Sequence, residues 1–193
     1  IPAMTPSTIE LPVTAADRHI AALAGAAVGL AVAEAAIPLP IPGIKPGLAN
    51  IVTLLVLYRF GWRAAASVVA LRIVASALLL GSFLTPTFAM SVAGGLASLA
   101  VLALLARLPE RWIGPVGVSV LAALAHMSAQ LLLVDAWLLP GASLSGLMPF
   151  FLSVAAVTGL VNGVVSAGIL EYADTMPDTD SPGATPPGGG AAP

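Results

Sequence analysis

Residues 88–106 read FAMSVAGGLASLAVLALLA, a run of nineteen residues without a charged side chain. As a helix, this run rises about 28 Å, close to the roughly 30 Å hydrocarbon core of a lipid bilayer. Thr85-Pro86 precedes it and Arg107 follows it, so a breaker and a charge bound the apolar stretch. The run predicts a transmembrane helix, and the rest of the chain can be interpreted outward from it.

Five further apolar segments flank this run, and together they predict an all-α integral membrane bundle of six transmembrane helices. The six segments are residues 19–37, 48–60, 62–81, 88–106, 116–139 and 147–172. The second segment has 13 residues, which rise only about 20 Å as a helix. Either its end extends into the preceding proline-rich loop, or that loop enters the membrane and is covered by protein.

Composition agrees with a bilayer as the solvent of this chain. Of its 193 residues, 59% are hydrophobic and 8% are charged, whereas a soluble domain has roughly 25% charged residues. No basic stripe is present that would favour nucleic acid as a partner. We predict an N-terminal segment over residues 1–17, the helical domain over 18–172, and a disordered, acidic, Pro/Gly-rich tail over 173–193.

Basic residues predict the orientation in the cytoplasmic (inner) membrane. If the N-terminus is cytoplasmic, Lys45 falls outside and Arg72 lies within the third segment, while the other five basic residues fall inside. Those five are Arg18, Arg59, Arg63, Arg107 and Arg111. The positive-inside rule therefore predicts a multi-pass protein with both termini cytoplasmic.

Polar and ionisable residues concentrate in the outer half of the predicted bundle. Because such side chains are costly in lipid, they usually face a cavity or a partner, and a common depth predicts a site entered from outside. His126 and Gln130 share a helix face, being four residues apart. The predicted ligand-binding residues are Glu34, Lys45, Asn50, Arg72, Ser91, Gly94, His126, Gln130 and Asn162.

Each of these residues also has a purely structural interpretation. Arg72 would pair with Glu34 and hold two helices in register, bind an anionic or carbonyl group of a ligand, or extend towards the lipid headgroups. His126, Gln130 and Asn162 would either form hydrogen bonds between helices or contact the ligand. Lys45 would be an interfacial anchor or part of a lid over the pocket.

Small residues at helical spacing predict close contacts between helices. Gly94-Gly95 and the pair Gly159 and Gly163 occur within two of the segments. Such residues serve either internal packing or docking of another membrane protein. The first segment is the strongest docking candidate, with Ala22, Gly25, Ala26 and Gly29.

Catalytic patterns are missing from the sequence, and we expect a protein that is not an enzyme. It contains no P-loop, dinucleotide fingerprint or nucleophile elbow. No two aspartates share a face of a membrane segment, as chelation of magnesium on a diphosphate would require. The two histidines, His19 and His126, lie too far apart in depth for a shared metal site, so we predict no metal and no cofactor.

Residues 34–54, EAAIPLPIPGIKPGLANIVTL, carry a resemblance to a known family. The chain resembles the Gx transporter family, also labelled heptaprenyl diphosphate synthase component I. The resemblance covers roughly residues 19–170 and continues through Arg72, residues 79–82, Ser91-x-x-Gly94-Gly95, residues 117–119 and residues 125–131. Met127 departs from the family pattern, in which an asparagine follows the histidine.

The resemblance implies a fold like that of the S components of energy-coupling-factor (ECF) vitamin transporters. In those proteins, small residues of the first helix pack on a transmembrane coupling subunit driven by two ATPases, and the loop after that helix closes over the ligand. The leading hypothesis is therefore an S-component-like subunit that captures an amphipathic vitamin, isoprenoid or quinone precursor from the outer side. The alternative is an accessory or anchor subunit of a quinone- or flavin-linked electron-transfer system, with a flavoprotein partner.

Overall fold

A computed structural model describes residues 13–37, 47–107, 113–140 and 146–175. Each described segment is mainly helical. The helices are α1 (Ala15–Ala36), α2 (Leu48–Phe60), α3 (Trp62–Leu79), α4 (Pro86–Leu105), α5 (Pro115–Leu133) and α6 (Met148–Thr175), with a π-helical turn, Val134–Leu138, that extends α5. The prediction of an all-α bundle of six helices is confirmed.

Five of these helices are long and apolar enough to cross a membrane, and α2 is the short one. The chain is thus a multi-pass membrane protein, and its 13-residue α2 has the predicted bounds. Large apolar side chains project from the bundle, such as Leu96 at 63% and Leu71 at 53% exposure. Such faces are suited to contact with lipid tails and would be unfavourable in water.

The start of α1 is set by a capping box that the apolar pattern did not reveal. Thr14 Oγ1 accepts a hydrogen bond from the Asp17 backbone N–H at 3.2 Å, and Asp17 Oδ2 accepts one from the Thr14 N–H at 2.9 Å. These reciprocal bonds satisfy free N–H groups of the first turn, so the helix begins at Ala15 rather than at 19. At the other terminus α6 continues to Thr175, and the predicted tail beyond it lies outside the described residues.

The helices pack as two groups of three, α1–α3 and α4–α6, which meet where α2 contacts α6 and where α3 contacts α4. The core of the first group consists of small and β-branched side chains, among them Ala27, Val56 and Ala65 with 0% exposure. Small side chains let backbones approach closely, and packing of this kind drives association between helices in lipid.

Helices α5 and α6 are in close contact at two glycines. A Cβ atom on Gly159 would lie 2.9 Å from the Cα atom of Val120, and one on Gly163 would lie 2.7 Å from the Cα atom of Val116. A side chain at either position would therefore overlap the backbone of α5. The interpretation of this glycine pair as internal packing is confirmed.

Because successive helices run in opposite directions, the bundle has two distinct ends. At the terminal end, where α1 begins and α6 ends, Arg59 forms a 2.7 Å ion pair with Asp174 across the two groups. The cavity end is the opposite one, where α1 and α3 end and α2, α4 and α6 begin. Arg111 and Lys45, both used for the orientation, lie outside the described residues, and the orientation stays a prediction.

Candidate ligand-binding site

A cavity of about 340 Å³ opens at the cavity end, and all six helices contribute to its wall. Polar side chains are grouped along this wall, with apolar side chains between them. Seven of the nine predicted ligand-binding residues line it, namely Glu34, Asn50, Arg72, Ser91, His126, Gln130 and Asn162. The polar residues of the six segments thus converge on one space.

The other two predicted residues stand apart from the lining. Gly94 lies behind His126 rather than in the wall, and a Cβ atom there would be 2.5 Å from His126 Nε2. Lys45 lies outside the described residues, so its role as anchor or lid stays a prediction.

Arg72 is buried beside the cavity, with 9% of its surface exposed. Its Nη1 donates a hydrogen bond to Asn50 Oδ1 at 3.0 Å, so the guanidinium joins α3 to the first turn of α2. A direct ion pair with Glu34, one of the interpretations above, is not formed among the described residues. Glu34 instead attracts Arg72 through space.

Glu34 is buried at the end of α1 and serves the beginning of α2. Its Oε1 accepts a hydrogen bond from the backbone N–H of Leu48, the first residue of α2. The N-cap of this helix, Gly47, offers no side-chain acceptor, and free N–H groups at a helix N-terminus favour negative charge. Glu34 therefore supplies a cap from another helix.

Asn162 of α6 also binds the N-terminal turn of α2. Its Nδ2 donates to the carbonyl oxygen of Gly47 at 3.0 Å, which links α6 to the start of α2. Gly47 has a φ of +72°, and a Cβ atom there would lie 3.2 Å from Asn50 Nδ2 and 3.3 Å from Asn162 Nδ2. Glycine is suited to this left-handed, crowded position. The interhelical interpretation of Asn162 is confirmed, and the residue also faces the cavity.

His126 and Gln130 lie on one face of α5, as their spacing predicts. Gln130 Nε2 donates to the backbone oxygen of Met90 in α4 at 3.4 Å, so this amide also links two helices. The imidazole of His126 rests against Gly94, while its Nδ1 is buried without a hydrogen-bond partner in the described part of the chain.

Several wall residues were absent from the sequence prediction. Ser76 and Thr158 line the cavity, four residues after Arg72 and four before Asn162, so helical spacing alone would have placed them on the same faces. Both hydroxyl groups donate to backbone oxygens of their own helices, at 2.6 Å and 3.0 Å. Met127, the departure from the family pattern, also lies in the wall.

Among described residues, no three His, Asp or Glu side chains are grouped closely enough to hold a metal ion.

The predicted docking residues lie on the outside of α1. Ala22, Gly25, Ala26 and Gly29 are all exposed, and a Cβ atom on either glycine would meet nothing within 4 Å. These four residues are called the α1 stripe. In contrast to Gly159 and Gly163 of α6, Gly25 and Gly29 have open space around the position of a Cβ atom in the described part of the chain.

One comparison with known proteins gives a match. The family model described as heptaprenyl diphosphate synthase component I matches residues 23–169, about three quarters of the chain. No curated protein and no solved structure matches the chain.

Proposed function

We propose that this chain, which belongs to the heptaprenyl diphosphate synthase component I family, is a membrane-embedded subunit that binds a small amphipathic organic molecule. The observation that carries the proposal is the convergence of seven polar side chains from six helices on one cavity. Polar groups at membrane depth are costly, so their collection around a single space favours a binding function.

The cavity has the properties of a small-molecule site. Ligand pockets are typically about 300–1,000 Å³, mostly apolar, with a few placed polar groups. The wall combines Arg72, Asn50 and His126 with apolar side chains such as Ile73 and Met90. A molecule with an apolar body and one polar end, such as a vitamin or a precursor of an isoprenoid or quinone, would match both parts.

The proposed role is substrate capture, similar to that of ECF S components. It requires that the cavity end faces outward. The positive-inside rule favours this orientation, because Arg18, Arg59, Arg63 and Arg107 all belong to the terminal end. The ligand would then enter from outside, and energy for its release inward would come from partner subunits.

A partner is implied by the family name, in which this chain is a component I. The α1 stripe supports such a partner, since exposed small residues let another membrane helix approach closely. For a transporter, the partner would be a transmembrane coupling subunit with two ATPases. For the alternative function, an accessory subunit of a flavin- or quinone-linked system, the same stripe would bind a flavoprotein complex.

We also propose that this chain is not itself a prenyl diphosphate synthase. Magnesium is bound in proteins mainly by carboxylates together with phosphates of the substrate. In the described wall, Glu34 is the one carboxylate, and it caps α2. Turnover of prenyl diphosphates by the purified chain alone would contradict this part of the proposal.

Thermal unfolding of the purified full chain in detergent tests ligand binding directly. The library would contain vitamins, prenyl alcohols and diphosphates, quinone precursors and aromatic acids. We expect at least one class to raise the unfolding temperature of the native chain but not of Arg72→Gln. Gly168→Ala, at a position where a Cβ atom meets nothing within 4 Å, serves as the control and should respond like the native chain. If no compound stabilises the chain, the proposed binding function is wrong.

Affinity purification of the chain from its native membrane separates the two functions. Recovery of ATPase subunits with a membrane protein would support transport, and recovery of a flavoprotein would support the alternative.

A further inference from the structure

The wall of the cavity reaches the outside of the bundle beside the turn between α3 and α4. This α3–α4 turn, residues 80–85, lies at the cavity end. Among the described wall residues, Leu80 and Thr87 are the two that are exposed, and they flank this turn. All other described wall residues are buried or half-buried. The route out of the cavity past Leu80 and Thr87 is called the α3–α4 passage.

The outside of the α3–α4 turn is apolar. Between Arg72 and Arg107 the chain has no charged residue, so the turn and the whole of α4 carry no charge. Large apolar side chains project from the turn and from the adjoining face of α3. The exposed residues of this surface are Leu71, Val74, Leu78, Leu79, Phe83 and Leu84. A continuous apolar surface of this kind is unfavourable in water and suited to lipid.

The backbone of Leu84 also favours lipid around the turn. Its φ is +61°, a left-handed conformation that glycine and asparagine adopt far more readily than leucine. Thr85 holds the turn, because its backbone N–H and its Oγ1 both donate to the carbonyl oxygen of Ser82, at 3.2 and 2.6 Å. The leucine side chain is 80% exposed. A turn that faces water would favour glycine or asparagine at this position, whereas a lipid surrounding favours leucine.

Polar and apolar groups follow each other in order along the wall. Arg72 and Leu80 both line the cavity, and they are eight residues apart, which is about 12 Å along α3. Between them, the Ser76 hydroxyl donates to the carbonyl oxygen of Arg72 in its own helix at 2.6 Å, and Ala77 adds an apolar surface. A bound molecule would therefore meet a charged group at one end and mainly apolar groups towards the turn.

We propose that the cavity is filled from the lipid phase through the α3–α4 passage, and that its ligand is a membrane-dissolved amphiphile. The polar end of this molecule binds beside Arg72, and its hydrocarbon body extends about 12 Å along α3 to the turn. The inference rests on the proposed function, because it names the class of ligand and the route by which that ligand reaches the same cavity.

Spin labels test whether the turn lies in lipid. The chain has no cysteine, so each single-cysteine variant carries one nitroxide. Leu84→Cys is compared with Val164→Cys, 55% exposed on α6, and with Ala173→Cys, exposed beside Asp174. With the full chain in lipid vesicles, we expect the Leu84 and Val164 labels to collide mainly with molecular oxygen, which concentrates in lipid. The Ala173 label should collide mainly with a water-soluble nickel chelate.

Two results of the spin-label experiment would overturn the inference. Collision of the Leu84 label mainly with the nickel chelate would mean that the turn faces water. Collision with neither reagent would mean that protein covers the turn, for example a second copy of the chain.

Prenyl compounds of different length test the ligand class. Farnesol and farnesoic acid are compared with dimethylallyl alcohol and dimethylacrylic acid, which have the same end groups on a single isoprene unit. At equal mole fraction in the detergent micelles, we expect at least one farnesyl compound to stabilise the full chain at a concentration at least about 10-fold lower than its short counterpart. Arg72→Gln should abolish this stabilisation, and Gly168→Ala should keep it. Thiamine and biotin, which represent ligands taken from water, should have no effect.

A bulky side chain in the passage tests the route. Thr87→Trp places an indole ring there, and Ser153→Trp, exposed on α6 and outside the wall, is the matched control. A bimane group on Met90→Cys, in the wall, reports filling of the cavity in vesicles that contain the farnesyl compound. We expect Thr87→Trp to slow filling at least about 10-fold, Thr87→Leu to slow it less, and Ser153→Trp to leave it unchanged. Equal rates in all folded variants would overturn the route.

The results distinguish this inference from the proposed function. If thiamine, biotin or another water-soluble compound of the wider library stabilises the chain and no farnesyl compound does, the inference is wrong and the binding function stands. Equal stabilisation by the long and the short prenyl compounds would also overturn it. If no compound of any class stabilises the chain, both fail together.

Discussion

The imidazole of His126 lies so close to Gly94 that a Cβ atom built on Gly94 would be 2.5 Å from Nε2. The absence of a side chain in α4 thus provides the space in which the ring of α5 sits. The three ring atoms nearest to that position are Nε2, Cε1 and Cδ2, while Nδ1 is buried without a hydrogen-bond partner in the described part of the chain. A glycine outside the cavity wall therefore sets the orientation of a residue within it.

Gly94→Ala should disturb ligand binding while leaving the fold intact. The added methyl group would displace the imidazole, whose tip can rotate away, and alanine favours the helix by about 1 kcal/mol over glycine. We expect affinity for the best ligand of the thermal screen to fall about 10-fold with little change in unfolding temperature. Both are measured on the same detergent sample, with Gly168→Ala as the control. Unchanged affinity would contradict the role of Gly94.

Replacement of Glu34 should destabilise the junction between α1 and α2. Glu34→Ala leaves the Leu48 N–H without its acceptor, and loss of a cap costs about 1–2 kcal/mol. Glu34→Gln keeps an acceptor oxygen and loses only the charge, so its cost should be about half as large. We expect the unfolding temperature to be highest for the native chain, lower for Glu34→Gln and lowest for Glu34→Ala. Equal stability of native and Ala variants would show that the cap contributes nothing.

Gly163→Ala should weaken the contact between α5 and α6. Its Cβ atom would lie 2.7 Å from the Cα atom of Val116, and backbone cannot move aside as a side-chain tip can. Overpacking of this kind costs about 1–3 kcal/mol, which should appear as a lower unfolding temperature. Gly168→Ala, on the same helix with open space around it, should be neutral or slightly stabilising. A neutral Gly163→Ala would contradict the close packing of the two helices.

Gly25→Leu should affect partners rather than the chain itself. Apart from its own helix, no described residue lies within 4 Å of a Cβ atom at that position, so the unfolding temperature of the isolated protein should hardly change. A leucine would separate a docked helix from the α1 stripe, and we expect recovery of the partner in affinity purification to fall at least about 10-fold. Val164→Leu, at an α6 position with 55% exposure, is the matched control. Full recovery with Gly25→Leu would exclude the stripe as a docking surface.

Much of the site was predictable from depth alone. Because charged and amide side chains are costly in lipid, Arg72, His126 and Gln130 had to lie where protein surrounds them, and alternating helices bring similar depths together. Their partners were not predictable in this way. Glu34 was a natural ion-pair partner for Arg72, but the first N–H groups of α2 lie nearer to its carboxylate, and Asn50 lies nearer to the guanidinium.

The bounds of the helices also include some that the sequence predicted and some that it did not. The 13 residues of α2 were correct from the sequence, because Gly47 and Gly61 stand directly outside it. The predicted start of α1, at residue 19, was wrong, because the capping box of Thr14 and Asp17 is polar and a hydropathy pattern does not reveal it.

The sequence by itself determined the apolar surroundings, the number of helices and the grouping of most of the described polar residues, because these depend on the composition and length of local segments. Only the tertiary structure decided which neighbour each polar group meets, and which glycines face inward. Gly163 and Gly25 are chemically the same residue in similar helices, yet one contacts α5 and the other faces outward. Rotation of a helix about its axis is set by contacts with other helices, and those contacts join residues that are far apart in the chain.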